Sequence, residues 1–399
     1  MQAEIPYGAY WCTPFCKWQG SFAHLNSIEF AGHVARQALV ERNIPIESFD
    51  YGVLGITIPQ YRAFWGLPWL MGKIGADKVG GPTISQACAT GTRCLQNAAQ
   101  ETESGKADVA LVVGADRLSN GPQLYYPDPT GMGGSAQQEH WVIDNMFDGD
   151  PETGQDMIQT AENVAERWKI STEEQHEVVL RRHEQYQDAL ADNSAFHKRY
   201  MTLPFDVPSN NYKTSTVQLV GDEGIYPTSA EKLAKIKPTK LGGTVTFGGQ
   251  THPADGNAAL VVTTPQKASE LSKDPNIRIR LKSFGLARAE KAFMPHAPVP
   301  ATQRALQHAD LTINQIDAIK SHNPFAVNDI VFARETGTDL MSMNNYGCSL
   351  IFGHPHAATT LRQMIELIEE LVIRGGGRGL FQGCAAGDTA MAVVIEVGK

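Results

Sequence analysis

The sequence predicts an α/β protein made of two similar halves, with a long segment inserted into the first, and three observations carry that prediction. Helix-period and strand patterns alternate at both ends of the chain, the last part repeats the order of units found around residue 88, and residues 118–241 break the rhythm.

Taken in order, IEFAGHVARQALVER (28–42) sets apolar residues at helical spacing, and YGVLGITIP reads as the buried strand after it. TISQACATGTRCLQNAAQETESGKADVALVVGAD then reads as a short strand, a turn at Cys88, a helix closed near Gly105 and the buried strand VALVVG. Cys88 therefore sits at a strand-to-helix elbow. From about Arg117 to Leu241 the chain turns rich in Gly, Pro, Asp and aromatic residues, interrupted by the helical stretches TAENVAERWKI and EEQHEVVLRRHEQYQDAL. This predicts a loop domain over 118–241. Long excursions on α/β cores usually carry function; a helical decoration with no binding role is the alternative. LGGTVTFGG is expected to return the chain to strand, and DGNAALVVTTP supplies another, so that 242–268 complete the half begun by 1–117. Residues 269–399 form the second half, where GHPHAATTLRQMIELIEELVIRGGGRGLFQGCAAGDTAMAVVIEV reads as turn, helix, glycine stop, strand, turn and strand. Sliding one half over the other so that Gly383 meets Gly114 also brings Arg362 onto Arg93 and Ala357 onto Cys88. A site shared between two similar halves follows from that faint duplication.

A chain of 399 residues has the length of two or three domains, and 42% hydrophobic with 19% charged residues describes a chain folded throughout. No apolar run reaches the ~18 to 20 residues of a membrane helix. The start, MQAEIPYGAYWC, lacks the basic flank and apolar stretch of a secretion signal, so a cytoplasmic location is expected. Six cysteines are too sparse for a disulfide framework and are expected as thiols. Cys12 and Cys16 lack a second close pair with ligand spacing, so no metal is expected. A net charge of −9 argues against nucleic acid as a partner, since phosphate-backbone binding needs clustered Lys and Arg; a small anionic cofactor needs only local donors.

Chemistry concentrates in three motifs. In QACATG, the Cys88 sulfur would face a helix N-terminus, whose amides stabilise a thiolate by ~0.3 to 2 kcal/mol. Moving a thiol from pKa ~8.5 to ~6 takes about 3.4 kcal/mol, so a base must complete the activation. GHPHAATT offers His354, aimed by Gly353 and Pro355, with His356 as the nearby competitor and a polar-turn histidine as the plainer alternative. FQGCAAGD puts a second thiol, Cys384, after a buried strand among small residues; an inert buried cysteine is the ordinary alternative.

Together with TPFCKWQGSF, MIQTAENVAERWKIS (157–171), GGTVTFGGQTHPADGNAAL, HNPFA (322–326) and NNYGCSLIFGHP, in this order and spacing, these motifs resemble the thiolase family over most of the chain. The resemblance implies the thiolase fold, a five-layered αβαβα core, and coenzyme A as co-substrate. It implies that Cys88 is acylated, that His354 activates it, and that Cys384 moves protons at the substrate α-carbon and the CoA sulfur. His322 and His354 would form one oxyanion hole, and backbone amides near Cys88 and Ala386 the other, each good donor being worth ~3 to 4 kcal/mol. Aligning HNPFA with the family's NEAFA or HEAFA puts His322 at the Asn/His position and Asn323 at the Glu position; a structural turn histidine is the alternative.

The chain also departs from the pattern. Ala357 and Thr360 stand where the family has Gly, and Cys384, Ala385, Ala386 and Gly387 replace CxGG, which predicts a reshaped pocket. Tyr226 stands where many thiolases carry an arginine for the adenine end of CoA. Thr251 matches a serine near the pantetheine, Met157 falls in the segment lining that arm, and Gly248 and Phe325 are further expected CoA contacts. Tyr125, Tyr126, His140, Trp141 and Phe147 suggest a bulky or aromatic acyl group, with oligomer packing as the alternative. The narrower likeness is to thiolases of anaerobic toluene degradation, which cleave benzoylsuccinyl-CoA to benzoyl-CoA and succinyl-CoA beside a small zinc-ribbon/OB-fold partner subunit. A homodimer or homotetramer is implied. The rivals are a condensing enzyme of the same fold, which needs no second catalytic thiol, and a non-catalytic CoA-binding or scaffold subunit, which needs none of Cys88, His354 and Cys384.

Overall fold

The computed structural model describes residues 2–398. The first half runs through β1 (Tyr10–Cys12), β2 (Cys16–Lys17), α1 (Ser27–Glu41), β3 (Tyr51–Gly55), α2 (Gly66–Ile74), β4 (Thr83–Ile84), α3 (Thr90–Glu103) and β5 (Val109–Arg117). The excursion holds the hairpin β6 (Gln123–Pro127) and β7 (Ala136–His140), then α4 (Trp141–Phe147), α5 (Met157–Trp168) and α6 (Thr172–Ser194). A second hairpin, β8 (Phe205–Pro208) and β9 (Ser215–Leu219), and α7 (Ala230–Leu233) close it. The chain returns through β10 (Ala254–Thr263) and α8 (Pro265–Leu271). The second half is β11 (Arg278–Arg288), α9 (Pro298–Ala309), β12 (Ala318–His322), α10 (Ala326–Thr336), α11 (Ser349–Phe352), α12 (His356–Ile373), β13 (Gly377–Ala385) and β14 (Thr389–Gly398).

The two sheets share one plan. The first is ordered β1-β10-β5-β3-β4, the second β11-β14-β13-β12. In each, a central strand (β5 or β13) is antiparallel to one neighbour (β10 or β14) and parallel to the other (β3 or β12). The parallel registers end alike, with Gly55 opposite Gly114 and His322 opposite Gly383. Runs such as VALVVG are apolar without alternation because both sheet faces are covered.

The covering layers follow from helix amphipathicity. On one sheet lie α1 and α2, on the other α9, and α3 packs against α12 between the sheets, giving five layers. Residues 357–371 of α12 are buried all round, as a helix between two sheets must be. Its first turn crosses so close to β5 and α3 that a Cβ on Gly114 or Gly91 would fall well inside contact distance of the Ala357 carbonyl. Only glycine permits that approach.

One expected strand is absent: LGGTVTFGG forms turns ending in a short 3-10 segment, Phe247–Gly249. The Glu162 carboxylate accepts the amide N–H of Thr244 (2.9 Å) and Val245 (2.8 Å), so a side chain takes the donors a ladder would have used.

A fully buried ionic cluster ties the excursion to the core. Arg362 donates to both oxygens of Asp222 (2.6 and 2.8 Å) and to Glu366 (3.0 Å), its guanidinium lying over the rings of Phe352 and Phe15. Lys320 pairs with Glu366 at 3.0 Å. No helix among the described residues is long and apolar enough to cross a membrane.

Candidate active site

The elbow at Cys88 is built by a strained residue. Ala87, just before it, has φ +44°, a left-handed conformation that a Cβ disfavours. The Thr90 hydroxyl holds the turn by donating to the Ala87 carbonyl (2.7 Å) while accepting the Gln86 N–H (2.8 Å). The backbone N–H groups of Ala386, from the end of the second sheet, and of Cys88 itself favour the thiolate. Burial still pushes the thiol up to about 12, because desolvation of the anion outweighs those donors. Helix-end stabilisation therefore does not offset the burial of the thiol.

His354 follows Gly353, whose φ of +90° and ψ of −179° belong to a region open in practice to glycine alone. His354 Nδ1 lies 2.8 Å from the Thr359 hydroxyl, which donates to the Pro355 carbonyl (3.1 Å) and so accepts from Nδ1–H. That leaves Nε2 with a lone pair and no hydrogen-bond partner in the protein. Burial, reinforced by the neighbouring histidines, holds His354 well below its ordinary pKa, so it rests neutral.

The His322 ring stacks on His354 with centroids 4.0 Å apart. Its Nδ1 is 2.9 Å from the Ser349 hydroxyl, which also lies 3.1 Å from Asn323 Oδ1. The hydroxyl donates to Asn323 Oδ1, so it accepts from Nδ1–H and leaves the lone pair on Nε2; turned to Nδ1 instead, it would move the ring proton to Nε2, the form an oxyanion donor requires. Burial pushes His322 down to about 3. The Cys88 sulfur and one ring nitrogen each of His322 and His354 all lie within 4.8 Å of one another. Among the described residues this is the one His, Cys or acidic group with the spacing to hold a metal ion, though a metal there would tie up the thiol.

Cys384 lies on β13, one residue past the one opposite His322. Its sulfur accepts from Asn328 Nδ2 at 3.2 Å, and Asn328 Oδ1 accepts the Phe325 N–H. Burial raises its pKa, and the nearby Cys88 sulfur raises it further.

The expected CoA residues are more scattered. The Thr251 hydroxyl donates to the Ser349 carbonyl (2.5 Å) and its N–H to the Pro324 carbonyl (2.7 Å), tying its loop to the turn before Phe325. The Phe325 side chain is buried, Met157 opens α5 packed against the central core, Gly248 lies in the 3-10 turn, and Tyr226 is 68% exposed. Ala357 and Thr360 both lie at the α3–α12 contact, where the Ala357 carbonyl and the Thr360 hydroxyl approach Gly91. Of the aromatic residues flagged in the excursion, Tyr125, Tyr126 and Phe147 are exposed, and His140 caps α4 by accepting the Ile143 N–H. Trp141 packs against Ile58, Leu118 and Val142, with its indole N–H on the Thr57 carbonyl at 3.0 Å. Sequence reasoning missed Asn328, Ser349 and Thr359. A polar side chain three places after Phe325, at a helix start, was the signal for the first.

With this geometry in hand, the comparisons are decisive for class. Residues 9–266 match the model of the thiolase N-terminal domain and residues 276–397 that of the thiolase C-terminal domain, so the chain belongs to the thiolase family and is an acyltransferase. It is 32% identical to an acetyl-CoA acetyltransferase of Chromobacterium violaceum over 79% of each chain. Human mitochondrial 3-ketoacyl-CoA thiolase superposes with a TM-score of 0.89 at 24% identity, covering 99% of this chain and 98% of that one. The same human enzyme in complex with CoA gives 0.87 at 25% identity, over 99% and 97%.

A thiol raised by burial ionises only as pH climbs toward about 12. Alkylation of Cys88 by iodoacetamide is therefore expected to quicken about tenfold per pH unit from 7 to 9. A plateau below pH 8, read from the rate of Cys88 labelling by mass spectrometry, would mean a preformed thiolate.

Proposed function

We propose that this chain is a thiolase that cleaves a bulky or aromatic 3-oxoacyl-CoA, benzoylsuccinyl-CoA being the case to test, with free CoA as acceptor. The observation that carries the reading is the convergence of the Cys88 sulfur with ring nitrogens of His322 and His354 within 4.8 Å, beside a second thiol.

His354 Nε2 takes the Cys88 proton as the sulfur attacks the 3-keto carbon, and then, carrying that proton, joins His322 in stabilising the oxyanion. The bond between C2 and C3 breaks with its electrons passing to the thioester enolate, whose oxygen is met by backbone amides near Cys88 and Ala386. Cys384 protonates C2, and the shortened acyl-CoA leaves. The incoming CoA thiol gives its proton to Cys384 and attacks acyl-Cys88, and Cys88 recovers its own proton from His354. Thr251, Met157, Gly248, Phe325 and Tyr226 would contact CoA.

Support for a bulky acyl group comes from Trp141, the one aromatic of the excursion bonded beside the site, through Thr57. With acetoacetyl-CoA, a long-chain 3-oxoacyl-CoA and benzoylsuccinyl-CoA as substrates, kcat/KM for thiolysis is expected to be highest for the last. A strong preference for either aliphatic substrate sinks the aromatic reading. Exposed apolar side chains at Phe64, Met132 and Leu241 favour a homodimer or homotetramer, alone or with a small zinc-ribbon/OB-fold subunit. Mass measurement of the natively purified protein tests this.

A further inference from the structure

Beside the catalytic histidines stands a third ring whose orientation is set from outside the thiolase motifs. Asp116, at the end of β5, is buried and accepts four donors. Oδ1 takes the N–H of Thr57 (2.8 Å) and Ile58 (3.0 Å), while Oδ2 takes the Thr57 hydroxyl (3.0 Å) and the Ala357 N–H (2.8 Å). Burial raises Asp116 to about 6 against the pull of these donors, so at neutral pH it is a carboxylate that accepts all four. The single Thr57 proton is thus committed to Asp116. His356 Nδ1, 2.9 Å from the Thr57 oxygen, must then be the donor of that contact.

Burial pushes His356 down to about 4, so at neutral pH the ring is uncharged and Nε2 keeps a lone pair. Its other contact is the His354 ring, at 4.6 Å between centroids. No group among the described residues bonds Nε2, and His356 keeps partial exposure where His322 and His354 are buried.

We propose that His356 is a specificity-determining residue, its Nε2 acting as a fixed hydrogen-bond acceptor that selects acyl groups bearing a hydroxyl or another neutral donor over plain alkyl groups. An alkyl group that displaces water from Nε2 leaves a desolvated acceptor unpaired, whereas a hydroxyl replaces the lost bond. Sites built around such an acceptor discriminate against ligands lacking the donor. Thr57 and Asp116 act through His356 as positioning residues. The inference rests on the reading that the cleft takes an acyl-CoA thioester; it does not depend on the aromatic substrate.

The test is calorimetric binding of 4-hydroxybutyryl-CoA, whose hydroxyl lies beyond the C3 oxygen held by His322 and His354, and butyryl-CoA to the Cys88→Ala protein, which cannot turn either over. With His356 in place, the hydroxylated thioester is expected to bind about tenfold tighter. His356→Leu should bring that ratio near one, Thr57→Val should shrink it, and His356→Gln, which keeps an acceptor, should retain part of it. A ratio near one in the parent, or one that survives His356→Leu, overturns the proposal while leaving the thiolase reading intact. Failure of both thioesters to bind overturns the two together.

Discussion

His354→Ala is expected to lower kcat for thiolysis by about 10⁴-fold while KM moves little. The general base in such a step contributes ~10²–10⁴ and an oxyanion donor ~10²–10³, and here one ring does both. Cys88 rests as a thiol raised to about 12, so attack depends on a lone pair at the right place, and the Thr359 bond fixes His354 with Nε2 as that lone pair. His322 stacks against it but points Nδ1 at Ser349, and His356 points Nδ1 at Thr57. Because base and nucleophile act as a unit, adding Cys88→Ala to His354→Ala should cost little beyond Cys88→Ala alone. Single-turnover kinetics with the preferred 3-oxoacyl-CoA reads the effect. More than a tenth of the parent rate in His354→Ala would remove it as the base.

Arg362→Met is expected to destabilise the fold by ~3–5 kcal/mol, a fall in melting temperature of about 5 °C for a chain of this size. The side chain has no solvent exposure, and its loss leaves the Asp222 carboxylate buried without a cation, while Glu366 keeps the Tyr200 hydroxyl and Lys320. Lys320 still pairs with Glu366, but nothing of opposite charge replaces the two bonds to Asp222, which retains only the Phe15 N–H and the Tyr186 hydroxyl. The exposed pair Lys267–Glu270 is the control: Lys267→Met should leave the melting curve where it was. Equal shifts in the two variants would mean that the buried cluster is no keystone between excursion and core.

How far the site could be read from sequence depended on the range of the interaction involved. The elbow at Cys88 was legible because apolar strand, small residues and helix period lie side by side, and the turn before His354 because glycine and proline mark it. The strand expected over LGGTVTFGG was a misreading of the same local kind. Its β-branched and apolar residues suit a strand, but the carboxylate that takes its amides belongs to Glu162, some eighty positions away.

By itself, then, the sequence determined the two-halved α/β architecture and marked Cys88, Cys384 and His354 as the candidate reactive groups, since periodicity and turn chemistry act between near neighbours. Tertiary structure alone decided the protonation states and aims of those groups. Desolvation of Cys88, the Thr359 bond to His354, the Asn328 bond to Cys384 and the Asp116–Thr57–His356 chain arise where distant segments meet, and a buried group's charge depends on all that surrounds it.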